Sequence, residues 1–201
     1  MKTTEILLTG FTPFGGESIN PALEAVKLVS APSPAVNIIP LEVPTSFGRS
    51  EETVISAIKK YRPDVVICVG QAGGRSAVTP ERVAINIDDA GIPDNDGVQP
   101  VDTPIAADGP AAYFSTLPIK SIVQAIRTAG IPSEVSNSAG TYVCNHLMYC
   151  VLHYAALNCP EMRAGFIHVP YIPEQTVGKE APSMPLEQIA AALEAAITTV
   201  I

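Results

Sequence analysis

Strands that alternate with helices along the chain predict an α/β fold. The expected form is one domain over residues 1–201, an α/β/α sandwich whose mostly parallel, twisted sheet is covered by helices on both faces. Three observations carry this. The runs EILLTGF (5–11) and DVVICVGQ (64–71) are continuous and apolar, as strands buried on both faces are. Segments with helical spacing separate such runs. No internal repeat or linker divides the chain, and 201 residues that are 47% apolar suffice for one sizeable core.

Each element has its own signal. After the first strand, Asn20-Pro21 offers an N-cap and a proline at the first helical position, ahead of ALEAVKLV. VNIIPLEV (36–43) reads as a strand that Pro40 confines to an edge or a bulge. SEETVISAIKKY (50–61) has helical spacing, and RVAINI (82–87) alternates like a further strand. Residues 88–118 are rich in Pro, Asp and Gly without a period, and a segment of that length points to a functional or interface role. IKSIVQAIRTAG (119–130) is an amphipathic helix closed by Gly130. SEVSNS, a helix from about Val143, the strand AGFIHVP and an Ala-rich helix from Pro185 complete the order.

Composition excludes several functions. The formal charge is −8 and the 12 Lys and Arg are scattered, so no nucleic-acid-binding patch is expected. No apolar run approaches the roughly 20 residues of a membrane span, so no membrane partner is expected. The N-terminal stretch lacks the long apolar region of a leader, which implies a cytoplasmic protein. Four cysteines (68, 144, 150 and 159) without a C-x-x-C pair agree with a reducing compartment. Charged residues are only 16%, which suggests that another subunit covers part of the surface.

In parallel sheets ligands bind at the carboxyl ends of the strands. TGFTPFGG, GQAGGR, the turn before Cys144 and His168 in GFIHVP all fall there. Cys144 sits where AGTY hands over to an apolar helix. In that first turn, unpaired N–H groups and the helix dipole favour a thiolate and an oxyanion. A buried small hydrophobe is the competing reading, and the one that suits Cys68 and Cys159. His146, Cys150 and His153 share one helical face, which leaves zinc as an alternative, although a fourth ligand is not evident. Cys144 and His146 do not face each other on a helix. His168 is the better-placed imidazole for a cysteine nucleophile, and a satisfied core histidine is its bland counterpart. Glu81, between Pro80 and RVAINI, is a carboxylate that can orient an imidazole or simply face solvent. Phe11 and Phe14 lie in a glycine-flanked loop and are equally consistent with core packing.

LLTGFTPFGGESINPA, GQAGGR, ERVAINIDDAGIPDNDG, SAGTYVCNHLMYCVLHY and GFIHVPYIPEQ, taken in this order, resemble the pyroglutamyl-peptidase I (pyrrolidone-carboxylate peptidase) family. The resemblance covers nearly the whole chain. It implies a cysteine exopeptidase that removes an N-terminal pyroglutamyl residue from peptides, without metal or organic cofactor, and that assembles as a homodimer or homotetramer. It places the nucleophile on Cys144, the histidine on His168 and the acid on Glu81. Phe11, Phe14, Gln71 and Tyr142 map to the substrate pocket. One position departs: the family loop reads ARIPDN where this chain has AGIPDN, so Gly91 replaces an arginine. That change admits a second reading, a catalytically weakened or silent pyroglutamyl-binding homologue.

Overall fold

A computed structural model describes residues 3–201; Met1 and Lys2, which open the stretch weighed as a leader, lie outside the described residues. In chain order the elements are β1 (Thr4–Phe11), α1 (Pro21–Leu28), β2 (Val36–Val43), α2 (Phe47–Tyr61), β3 (Val65–Gln71), β4 (Thr79–Pro80), β5 (Val83–Ile85) and β6 (Ala112–Phe114). They continue with α3 (Ile119–Thr128), α4 (Val143–Asn158), β7 (Arg163–Val169), a one-turn 3₁₀ helix (Pro173–Thr176) and α5 (Leu186–Ile197).

Five strands form the main sheet in the order β2-β1-β3-β7-β4. The first four are parallel, and β4 runs antiparallel to β7. Pro40 lies on β2, an edge strand, where its missing N–H costs no ladder bond. The further strand expected at 82–87 forms over Val83–Ile85, but not in the main sheet. It pairs with β6 in a separate two-stranded antiparallel ribbon. The fifth strand of the main sheet is instead the dipeptide Thr79–Pro80, too short to show any periodicity.

Alternation along the strands sorts the core into two layers. Ile6, Leu8, Val65, Ile67, Val69, Ile167 and Val169 face α1, α3 and α5. Leu7, Phe11, Val66, Cys68, Ala164 and Phe166 face α2 and α4. The result is the expected three-layer sandwich. On the first face α1 approaches closely because β1 carries Gly10: a β-carbon there would lie 2.5 Å from the Leu23 Cα. Helix ends follow their signals as well. The Asn20 side chain accepts a 3.1 Å bond from Ala22 N at the start of α1, and Gly130, with φ of 79°, follows the end of α3.

The long segment 88–118 contains β6 but is otherwise irregular, and it is pinned at several points. Asp88 and Thr103 exchange backbone bonds of 2.8 and 2.9 Å. Asp94 accepts from Phe47 N at 2.9 Å, so a residue 47 positions away caps α2. Ser46, the residue at the cap position itself, makes no side-chain cap bond. Asn95 donates to Pro13 O at 2.9 Å and its own N–H reaches Thr45 O at 3.0 Å. The segment thereby ties the loop after β1 to the start of α2.

Candidate active site

Helix α4 starts at Val143, as the sequence predicts, and Cys144 is in its first turn. The residue ahead of it, Tyr142, is extended (φ −98°, ψ −168°), and no side chain caps the helix. The first N–H groups of α4 are therefore left without a cap at the positive end of the helix dipole. The turn is held from outside. Asn145, fully buried, donates to Ile85 O (2.9 Å) and Ile87 O (3.0 Å) and accepts from Ile85 N (2.9 Å). Thr141 Oγ1 donates to Asp89 O at 2.7 Å, and the Tyr142 hydroxyl donates to Pro93 O at 3.1 Å.

His168 stands at the carboxyl end of β7. It has the same parity as Phe166 and Ala164, so it points to the α4 side of the sheet. Its pairing partner on β3 is Gly70. A β-carbon on Gly70 would lie 2.9 Å from Cys144 Sγ and 2.7 Å from Phe166 Cζ. The thiol thus occupies the space that a side chain at position 70 would fill, beside the strand position of His168. Glycine at position 70 is what leaves room for the thiol beside that strand position.

Glu81 follows β4 and is wholly buried. Its backbone N–H donates to Phe166 O at 2.9 Å, extending the β4–β7 pairing by one bond. Its Oε1 receives His168 Nδ1 at 2.7 Å and Arg75 Nη1 at 2.7 Å. Arg75, in the GQAGGR segment, also donates to Thr79 Oγ1 at 2.5 Å and Ser138 O at 3.3 Å. With Nδ1–H directed at the carboxylate, the Nε2 lone pair is left for another partner.

The protonation states follow from these surroundings. Burial pushes the Cys144 thiol up to about 12, and the Glu81 charge and Cys68 add to the effect. Burial also lowers the His168 pKa, and the bond to Glu81 and its charge only partly oppose this. For Glu81 burial acts upward, but the hydrogen bond and charge of His168, with Ser136 and Arg75, hold the carboxyl below its ordinary range. At neutral pH the resting group is a neutral thiol, a neutral imidazole and a carboxylate.

The aromatic residues divide. Phe14 and Tyr142, both half-buried, have ring centroids 6.1 Å apart. Phe11 is only 2% exposed and lies in the core, 6.3 Å from the Phe166 ring. Gln71, at the end of β3, accepts from Gln175 Nε2 at 2.9 Å. Sequence reasoning missed Phe47, whose ring meets Tyr142 edge-on at 5.5 Å, and Asn145, which fixes the helix start. Phe47 carried no signal because its helix appeared to begin at Ser50. Asn145, the middle residue of CNH, was visible but had no assignable partner.

The proposed zinc stripe needs correction. His153 is turned away, its Nδ1 2.9 Å from the Tyr113 hydroxyl. His146 Nδ1 instead pairs with Asp88 Oδ2 at 2.8 Å, and Cys150 Sγ lies 3.6 Å from His146 Nε2. His146 therefore serves neither as partner of Cys144 nor with His153 as a ligand pair.

Comparison with known proteins identifies the family. The pyroglutamyl peptidase family model matches residues 4–201. A pyrrolidone-carboxylate peptidase of Levilactobacillus brevis is 57% identical over 198 residues, covering 98% of this chain and 97% of the relative. One of Streptococcus pyogenes is 56% identical, with 98% and 92% covered. The crystal structure of pyroglutamyl peptidase I from Bacillus amyloliquefaciens superposes with a TM-score of 0.95 at 53% identity, covering 98% and 96% of the two chains. A mutant pyrrolidone carboxyl peptidase from the hyperthermophile Pyrococcus furiosus gives 0.94 at 42% identity, with 98% of both chains covered. The fold, the order of the site segments and these matches together establish that the chain belongs to the pyroglutamyl peptidase family.

Proposed function

We propose that the protein hydrolyses the N-terminal pyroglutamyl residue from peptides, with Cys144 as nucleophile, His168 as general base and acid, and Glu81 as the group that orients the imidazole. The observation that carries this is the 2.7 Å bond from His168 to a buried Glu81, on the strand next to the glycine against which Cys144 packs. In the first step His168 Nε2 takes the thiol proton and sulfur attacks the pyroglutamyl carbonyl. The negative oxygen that develops is met by the uncapped N–H groups at the start of α4. The imidazolium, stabilised by Glu81, then protonates the departing amine. Water, activated by the same imidazole, hydrolyses the thioester and restores the thiol. No step requires a cofactor.

Pyroglutamate is a flat, uncharged ring with one amide donor and one acceptor. The half-buried pair Phe14 and Tyr142 suits its faces, with Phe11 in the core packed against Phe166 and Gln71 supplying a polar group at the strand end. A catalytically silent homologue, the reading that Gly91 opens, has no support: relatives 53–57% identical over nearly the whole chain are pyroglutamyl peptidases, and the His168–Glu81 pair that the chemistry needs is present. Position 91 lies on the exposed segment, with open space around it.

A cytoplasmic location and a homodimer or homotetramer belong to the same proposal. Exposed apolar side chains such as Val101 and Phe114, together with sparse surface charge, support burial against another copy. No helix among the described residues is long and apolar enough to cross a membrane. The deciding experiment follows release of a fluorescent amine from a pyroglutamyl amide and from the prolyl amide. Turnover selective for the lactam, and absent in Cys144→Ser, is expected; ordinary activity in that variant overturns the mechanism.

A further inference from the structure

We propose that Glu51, His146 and Cys150 form a binding site for a borderline-soft divalent cation of the zinc type, separate from the catalytic group and beyond the peptidase activity. Glu51 lies on α2, and His146 and Cys150 are one turn apart on α4, against which α2 packs. One ligand atom from each residue falls within 4.8 Å of the others. The tightest pair is the most telling. Cys150 Sγ and His146 Nε2 are 3.6 Å apart. Bonds of about 2.3 Å to sulfur and about 2.0–2.1 Å to nitrogen, at a tetrahedral angle, span an edge of about 3.5 Å. Two of the three donors already stand at the separation that a tetrahedral ion requires.

The outer contacts fit as well. His146 Nδ1 bonds the buried Asp88 carboxylate at 2.8 Å, which directs the Nε2 lone pair toward Cys150. A carboxylate behind the imidazole is the usual support of a zinc-bound histidine. His146 and Cys150 are 7% and 6% exposed, whereas Glu51 is at the surface. The exposed Glu51 carboxylate already hydrogen-bonds the Cys150 thiol and needs only a small shift to close the third bond; water completes the fourth. On binding, the ion replaces the thiol proton of Cys150, which leaves to solvent. The ion's two positive charges are then met by the Cys150 thiolate and Glu51, with Asp88 behind His146. Softer sulfur and nitrogen donors favour zinc over calcium or magnesium. Phe47 meets the His146 ring edge-on at 5.5 Å and Tyr142 at the same distance, so the ion would tie α2 to α4 behind the aromatic wall of the pocket.

The test uses reduced, full-length Cys144→Ser protein, so that the catalytic thiol cannot contribute, titrated with Co²⁺. A saturable thiolate-to-cobalt charge-transfer band at one ion per chain, displaced by Zn²⁺, is expected. Adding Cys150→Ser should abolish the band, and adding Glu51→Gln should weaken affinity at least about tenfold. A band that survives Cys150→Ser, or no band from folded protein, overturns the site. Should the Cys150→Ser protein fail to fold, Glu51→Gln decides: Glu51 is exposed and its loss leaves the fold intact, so an unchanged affinity rejects the proposal.

Discussion

A β-carbon at Gly70 would stand 2.9 Å from Cys144 Sγ. Gly70 is also the partner of His168 across β3 and β7, so the absence of a side chain at one strand position lets the helix deliver its thiol beside the strand position of His168. Gly70→Ala puts a methyl group into occupied space, with Phe166 Cζ at 2.7 Å on the other side. Overpacking of this kind costs about 1–3 kcal/mol. Displacement of a nucleophile by even an ångström costs about 10²-fold in rate. The variant should fold with a lower denaturation midpoint and lose activity far out of proportion. Full kcat/KM in Gly70→Ala would show that Cys144 does not work from this position.

Glu81→Gln tests the orienting role. The carboxylate fixes Nδ1–H and stabilises the imidazolium that forms during attack, and its neutral isostere does neither reliably. Loss of kcat by about 10²- to 10⁴-fold, with KM little changed, is expected. The pH profile adds a second readout. Burial lowers the His168 pKa below its ordinary 6.5, so the acid limb of kcat/KM in the native protein should fall below that value. Glu81 acts to raise the pKa, and its removal should move the limb further down. An acid limb that moves upward in Glu81→Gln would contradict the assignment.

Phe14→Ala removes one face of the proposed lactam slot. Phe14 is half-buried and its ring partner is Tyr142, so stability should change by no more than about 1 kcal/mol. The lost aromatic contact, worth about 1.4 kcal/mol, corresponds to a roughly tenfold rise in KM for the pyroglutamyl amide. Phe11→Ala should differ in kind. That ring is buried against Phe166, and its removal should lower stability by about 3–5 kcal/mol. Steady-state kinetics and urea unfolding on the two variants separate the roles.

The layout of this site was partly legible in the sequence, and the boundary has physical causes. The orientation of His168 follows from alternation once β7 is recognised, because Phe166 shares its parity. The position of Cys144 follows from the change of small residues to a helical run. Gly70 was not legible as the spacer, because its role depends on the pairing of β3 with β7, strands separated by some ninety residues that no local pattern aligns. The short strands β4, β5 and β6 escaped or were misplaced because two or three residues carry no period. Asp94 looked like loop chemistry, and only the fold shows that it caps α2. The zinc stripe failed for a related reason: helical spacing gives a face but not the neighbour, and Tyr113 claims His153.

Gly91→Arg asks whether the departure from the family loop matters. Nothing lies within 4 Å of a β-carbon at this position, and its backbone is outside the left-handed region, so an arginine enters without strain. Stability should stay within about 0.5 kcal/mol of the parent. Arg75, the arginine of the GQAGGR segment, is already committed to Glu81, Thr79 and Ser138. A several-fold rise in kcat is therefore expected, measured on the pyroglutamyl amide. No change would show that position 91 takes no part in catalysis.

Stability at high pH offers an independent check on the thiols of Cys68, which is buried, and Cys144, which is partly exposed. Burial pushes both Cys68 and Cys144 from an ordinary value of 9.0 up to about 12. A group whose pKa is raised by folding stabilises the native state fully below its unfolded pKa. That contribution is lost as pH rises, because the unfolded chain releases the proton first. The window here runs from 9.0 to about 12. Each such thiol, within it, should lower stability by about 1.4 kcal/mol per pH unit. Cys144→Ser removes one contribution and leaves Cys68 in place. Its unfolding free energy should therefore fall less steeply than the parent's between pH 9 and pH 10.5, and parallel curves would mean that folding does not raise the Cys144 pKa.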